Sequence, residues 1–199
     1  MIPLTAIVLA GGKSSRMGRD KALILIEGLP LLQLVCRVAG SCADTVYIVT
    51  PWQERYEHLI LPKSQFIQEV ALSVEPEQKL SSHGPIVGFA QGLAHVQTEW
   101  VLLLACDLPK LRVAVLQDWK AELDTVEDDV IAALVYHVKG WEPLCGFYRR
   151  RCLPTLLEYI NQGGRSFQEW LKQHPVKVLP LADPEMLLNC NTPEDLPSL

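Results

Sequence analysis

No apolar run in this 199-residue chain approaches the roughly 20 residues that a membrane-spanning helix needs. The N-terminus also lacks the charged and apolar regions of a secretory leader, so the chain is expected to be a cytoplasmic protein with no membrane contact. It has no excess of positive charge. A formal net charge of −5 argues against a general nucleic-acid binder, which carries a basic face to neutralise many phosphates, and any anion site must be local. The six cysteines, Cys36, Cys42, Cys106, Cys145, Cys152 and Cys190, form no CxxC pair. They read as buried thiols in a reducing compartment rather than a zinc site or a disulfide set. The five histidines show no HxxxH or HExxH spacing. Both common nucleotide-binding loops are missing as well. A GxxxxGK[ST] loop ending in Gly12-Lys13-Ser14 would need glycine where Ile7 stands, and GxGxxG fails because the glycines fall at Gly11, Gly12 and Gly18.

What is present is an alternation of short apolar runs with amphipathic segments. It spans 1–199 without internal repeats or low-complexity stretches and is expected to form one domain. That alternation predicts an α/β, Rossmann-like three-layer sandwich with a mostly parallel sheet. Strands are expected at Thr5–Leu9, Thr45–Val49, within Phe66–Val74, and at Trp100–Ala105, Val130–Tyr136 and Pro143–Tyr148, with late strands at Val176–Leu179 and Leu187–Asn189. In Phe66–Val74 the register is open, because Glu69 interrupts the apolar alternation. Ala22–Ile26 reads as a short extended piece closed by the turn Glu27–Pro30. Helices are expected at Leu31–Ala39, weakly at Tyr56–Leu61, from Gly84-Pro85 to about His95, and at Arg112–Leu123 and Cys152–Ile160. Ser166 is expected to cap a further helix, and Asn191–Leu196 to form a last capped turn. The polar stretch Glu75–His83 reads as a mobile loop.

Two features stand out against this frame. Leu9–Ala22, LAGGKSSRMGRDKA, follows the first strand directly and carries Gly11, Gly12 and the cations Lys13, Arg16, Arg19 and Lys21. A glycine pair at a strand end lets backbone N–H groups approach phosphate oxygens, although four cations in a loop are also compatible with a merely solvated surface. Asp107 ends the most apolar strand, where open α/β sheets bind ligands, and its hard oxygens suit magnesium shared with substrate phosphates. The alternative is a cap for the Leu108–Arg112 turn.

The loop resembles the signature LxGGxSxRMGxDK of the molybdenum cofactor guanylyltransferases, through Leu9, Gly11, Gly12, Ser14, Arg16, Met17, Gly18, Asp20 and Lys21. The likeness continues in order along the chain with GPIVGF at Gly84–Phe89, ACDLP at Ala105–Pro109, EPLCGFYRR at Glu142–Arg150 and NCNTPEDL at Asn189–Leu196. The resemblance implies transfer of GMP from magnesium GTP to the terminal phosphate of molybdopterin, with release of pyrophosphate and Mg²⁺ as cofactor. It implies that Leu9, Ala10 and Gly11 face the guanine and ribose. Gly12, Lys13, Ser14 and Arg16 would curl over the β- and γ-phosphates, with Lys21 near the α-phosphate and Asp107 on the metal. Asn191, and less directly Asn189, would help bind the metal or the pterin phosphate. Transient contact with cofactor-assembly proteins or acceptor enzymes would follow.

Two departures from the family pattern bear on the base. The family places an asparagine-type contact after the second strand and an acid soon after the third, whereas this chain reads IVTPW and SVEPEQ there. Thr50 is expected to replace the first through its hydroxyl, and Glu77 or Glu75 the second. Arg149, Arg150, Arg151 and Arg165 are the candidates for an anionic acceptor. Rival readings are a nucleotidyltransferase using CTP or a sugar phosphate, and a noncatalytic nucleotide-binding partner in cofactor assembly.

Overall fold

The computed structural model describes residues 2–11, 20–59, 61–70 and 84–190. Its elements run β1 Leu4–Leu9, β2 Leu25–Ile26, β3 Leu29–Pro30, α1 Leu31–Cys42, β4 Thr45–Thr50, β5 Ser64–Gln68, α2 Pro85–Leu93 and β6 Trp100–Ala105. They continue with α3 Val113–Ala121, β7 Ala132–His137, β8 Gly140–Arg149, α4 Leu153–Asn161, α5 Phe167–Leu171 and β9 Val176–Val178.

The main sheet has the order β5-β4-β1-β6-β8-β7-β9. Strands β5, β4, β1 and β6 run parallel, β8 is antiparallel to both β6 and β7, and β9 returns parallel to β7. The chain leaves β1 toward β4 and β5 and then crosses back to place β6 on the other side of β1. The strand order therefore reverses at β1, and such a reversal opens a crevice at the carboxyl ends of the neighbouring strands.

Strand β6 is buried along its whole length, as WVLLLA requires of a strand covered on both faces. Alternate residues of β1 divide between two cores: Leu4, Ala6 and Val8 pack with α1 and α3, and Ile7 packs with α2, α4 and α5. The two faces give the three expected layers.

Several local expectations differ from the structure. Helix α1 does not stop at Ala39; it runs to Cys42, because its buried stripe continues to that residue. Of the expected helix Tyr56–Leu61, the described residues 56–59 and 61 are not helical; a 3₁₀ turn at Gln53–Arg55 precedes them, and Tyr56 turns inward as a buried anchor. Leu187–Asn189 is not a strand. Asp183 accepts the N–H of Glu185 at 3.0 Å and Pro184 opens a 3₁₀ turn through Leu187. The loop Glu75–His83 and the last turn Asn191–Leu196 lie outside the described residues.

Candidate active site

The crevice at β1 holds a cleft of about 230 Å³. One wall comes from the end of β1, Leu9 to Gly11. Another comes from the end of β6, Ala105 to Asp107, and a third from the start of α2, with Gly84, Pro85 and Gly88. Asp20 and Lys21 close it from the far end of the opening loop, and Glu69, Tyr56, Leu144 and Asn189 complete it.

The end of β1 is held by its neighbours. The N–H of Ala10 donates to the Val49 carbonyl at 2.9 Å, and the N–H of Cys106 to the Leu9 carbonyl at 3.1 Å. Thr50 is fully buried; its hydroxyl donates to the Ala10 carbonyl at 2.9 Å and accepts the Trp52 N–H at 3.1 Å. Thr50 therefore lies beneath the cleft and braces it, which corrects the expectation that its hydroxyl is presented to the ligand. The hydroxyl has both of its partners in the backbone.

Lys21 is placed by an anchor two elements away. Asp20 accepts the Ala22 N–H at 3.1 Å through one oxygen, which starts the 3₁₀ turn Lys21–Leu23. Its other oxygen accepts the Tyr56 hydroxyl at 2.9 Å and stands 3.6 Å from Arg55 Nη1. Burial and the adjacent carboxylate push the Tyr56 phenol well above its usual range, so it remains a donor. With Asp20 fixed in this way, Lys21 Nζ stands 3.9 Å from Asp107 Oδ2.

Asp107 sits in the turn after β6 and caps nothing: α3 begins only at Val113, and Arg112 occupies the position before it. Burial raises the Asp107 carboxyl above the ordinary aspartate value, and the Lys21 charge opposes that shift without cancelling it. The carbonyl of Asp107 takes the Cys190 N–H at 2.9 Å, which ties the chain at Asn189 to the same corner.

The acid on the opposite side of the cleft is Glu69. It follows β5 directly, held by its own N–H to the Thr50 carbonyl at 2.9 Å. A β-carbon on Gly11 would stand 2.6 Å from Glu69 Oε2, and one on Gly88 would stand 3.4 Å from it. The carboxylate thus fills the space that two glycines leave. No cation or donor pairs with it among the described residues, and burial alone raises its pKa.

Leu9, Ala10, Gly11, Lys21, Asp107 and Asn189 meet in the one cleft. Gly12, Lys13, Ser14, Arg16, Glu75, Glu77 and Asn191 lie outside the described residues. Glu69 was missed although the sequence carried its signal, a charge breaking the apolar alternation at the end of a strand. Arg149 does not serve the cleft. It pairs with Trp100 in the sheet, at the opposite end of β6 from Asp107, and is buried there. Arg151 hydrogen-bonds the Val130 carbonyl at 3.3 Å, and Arg165 donates to the Ile160 carbonyl at 2.8 Å, closing the end of α4.

A divalent cation fits this corner. Among the described residues Asp107 offers one hard carboxylate at the end of β6. That suits an ion which keeps water ligands and shares substrate oxygens, not one enclosed by protein.

The model of the MobA-like NTP transferase domain matches residues 6–178. A protein of a Nostoc species named "Probable molybdenum cofactor guanylyltransferase" is 69% identical over 193 residues, covering 97% of this chain and 88% of the relative. One of the same name from Synechococcus elongatus is 42% identical over 194 residues, covering 98% and 96%. The crystal structure of molybdopterin-guanine dinucleotide biosynthesis protein A from Archaeoglobus fulgidus superposes with a TM-score of 0.73 at 25% identity, covering 96% of this chain and 94% of that one. A nucleotidyltransferase cleft at the sheet crossover, on a chain matched over nearly its whole length by these relatives, leads to one conclusion: the protein belongs to the MobA-like NTP transferases, in the molybdenum cofactor guanylyltransferase family.

Proposed function

We infer that the chain transfers GMP from GTP to molybdopterin and that the described cleft is where this happens. An oxygen of the acceptor's terminal phosphate attacks the α-phosphorus of GTP. The bond from that phosphorus to the α,β-bridging oxygen breaks, pyrophosphate leaves, and a new phosphoanhydride joins GMP to the pterin cofactor. The reaction needs little covalent help from protein; it needs in-line positioning and neutralisation of charge. Lys21 stands beside Asp107 and supplies positive charge at the α-phosphate. Asp107 would hold Mg²⁺, which when bound neutralises phosphate charge and orients the leaving group.

The observation that carries this reading is the placement of Glu69 and the Lys21–Asp107 pair on opposite sides of one cleft floored by Gly11. A carboxylate with no partner among the described residues suits the N1–H and 2-amino group of guanine, two adjacent donors that cytosine and adenine do not present together. The backbone of Gly11, close against Glu69, is where the base lies. In this reading Glu69 takes the role expected of Glu75 or Glu77. Gly12, Lys13, Ser14 and Arg16 enclose the β- and γ-phosphates, and Asn189 and Asn191 attend the acceptor phosphate. The residues 1–199 act as one nucleotidyltransferase domain.

No helix among the described residues is long and apolar enough to cross a membrane, and all six cysteines are free, which supports work in the reducing cytoplasm. The product would pass to cofactor-assembly proteins or acceptor enzymes. The test is pyrophosphate release with molybdopterin and each of the four nucleoside triphosphates. GTP alone should support it; use of CTP with GTP ignored overturns the assignment, and a chain that binds GTP without turnover is a binding partner instead.

A further inference from the structure

A second cleft of about 310 Å³ opens beside the first and shares Leu144 and Asn189 with it. Its origin lies in the pairing of β7 with β8. Leu134 faces Gly146 and Tyr136 faces Trp141, so the single residue Val135 stands opposite four residues, Glu142 to Cys145. Surplus residues in one strand push it out of the sheet, and Pro143, which has no N–H to donate, stands within the excursion. Strand β6 stops at Ala105, so this excursion passes beyond its carboxyl end on the Asp107 side.

The polar groups of this cleft are held in place. Gln168 accepts the Trp141 N–H at 3.1 Å and donates to the Trp141 carbonyl at 2.6 Å, as a neighbouring strand would. Gly140 has φ 111°, and a β-carbon there would stand 2.7 Å from Gln168 Oε1, so only glycine admits that clasp. The Trp141 ring meets Tyr136 edge-on at 4.7 Å between centroids. His137 Nδ1 accepts the Lys139 N–H at 3.1 Å, which assigns the ring proton to Nε2, and Nε2 contacts Glu142 Oε1. The histidine therefore orients one oxygen of Glu142, while Oε2 has no protein partner among the described residues.

We propose that this second cleft receives the pterin end of the acceptor, with Glu142 Oε2 accepting hydrogen bonds from the N3–H and 2-amino group of its pyrimidinone edge and Trp141 forming an aromatic wall. The proposal rests on the functional reading above and supplies the subsite that reading lacks. An acceptor whose phosphate lies at Lys21 and Asp107 has its ring system carried past Leu144 and Asn189 into this space. The phosphate end belongs at Lys21, because the polar groups that the second cleft offers include an oriented carboxylate, which repels phosphate and accepts from paired N–H donors. The same donor pair is present in guanine, so the experiment must separate a pterin from a second guanine nucleotide.

The full chain and its Glu142→Gln variant are titrated with 6-hydroxymethylpterin, followed by pterin fluorescence, and with GTP and magnesium, followed by calorimetry. Turnover is then measured against molybdopterin concentration. Glu142→Gln should weaken the pterin roughly 10- to 100-fold and raise KM for molybdopterin by a similar factor, while kcat falls less and GTP binds once per chain with unaltered affinity. His137→Gln, which loosens the carboxylate without removing it, should shift the same KM by a smaller factor. Pterin affinity and molybdopterin KM unaltered in both variants overturn the proposal, as does a second GTP per chain that competes with the pterin and is lost in Glu142→Gln. A wild-type chain that binds the pterin in a Glu142-dependent way yet transfers nothing from GTP sinks the functional reading and leaves the subsite standing.

Discussion

Strand β6 has a charged group at each end, and the two are accommodated in opposite ways. At its start, Arg149 is 4% exposed and fully partnered: its guanidinium donates to the carbonyls of Val126 at 3.0 Å and Val130 at 3.1 Å, pairs with Glu99, and lies 4.4 Å over the Trp100 ring. At its finish, Asp107 has one cation at 3.9 Å, and Glu69 across the cleft has no partner among the described residues. Buried polar groups are normally satisfied, so the first arrangement is what stability alone produces. The second leaves charges desolvated until a ligand answers them, which is a cost that a binding site accepts. The same strand therefore separates a fully partnered end from an end that opens on the cleft.

The sharpest way to break the comparison is to remove a group at each end and watch different measurements move. Asp107→Ala should lower kcat/KM by at least ~100-fold with little change in thermal stability, and Lys21→Ala by roughly 10- to 100-fold; unaltered turnover in both ends the mechanism. Arg149→Ala should do the reverse. Stranding several buried carbonyls and opening a void beneath Trp100 should cost about 3 kcal/mol of unfolding free energy, read from a denaturant titration, with KM for molybdopterin in the surviving fold unaltered. A raised KM there would restore Arg149 to the acceptor site.

Between these extremes lies Glu69. Glu69→Ala should weaken GTP by roughly 10- to 100-fold and narrow its margin over ATP, read by calorimetry. The smallest effect concerns pH. Burial raises the Glu69 carboxyl, so the folded state favours its protonated form. That contribution is fully present below the unfolded pKa, near ~4.3, and is lost as pH rises through the higher folded value. The ligand-free Glu69→Gln variant should therefore melt slightly above wild type at pH 7, and the gap should close as the solution is acidified. A variant less stable than wild type at pH 7 would mean that the carboxylate has a partner.

Much of this molecule was legible from residue order. The strand Trp100–Ala105 could be read from its unbroken apolar run, and Asp107 from its place just after it, because both are local patterns in a chain that alternates strands and helices. Glu69 was not legible for a nonlocal reason. Its place in the cleft depends on Gly11 and Gly88, far away in sequence, leaving a space that its carboxylate fills. Thr50 was misread because a hydroxyl at a strand end is equally able to face a ligand or a carbonyl, and only the position of Ala10 decides which. Arg149 looked like an anion contact because composition does not say at which end of an antiparallel strand a residue comes to lie.

By itself, then, the amino-acid order determined the layered α/β class and the family to which its motifs belong. These rest on periodicity, on short-range backbone chemistry and on motif spacing, all written along the chain. Tertiary structure alone decided that Glu69 lines the first cleft, that the cleft opens at the Asp107 end of β6 and not at the Arg149 end, and that a four-residue excursion in β8 opens a second cleft beside the first. Each of those depends on strand order and register, which bring together residues that nothing in their own neighbourhood connects.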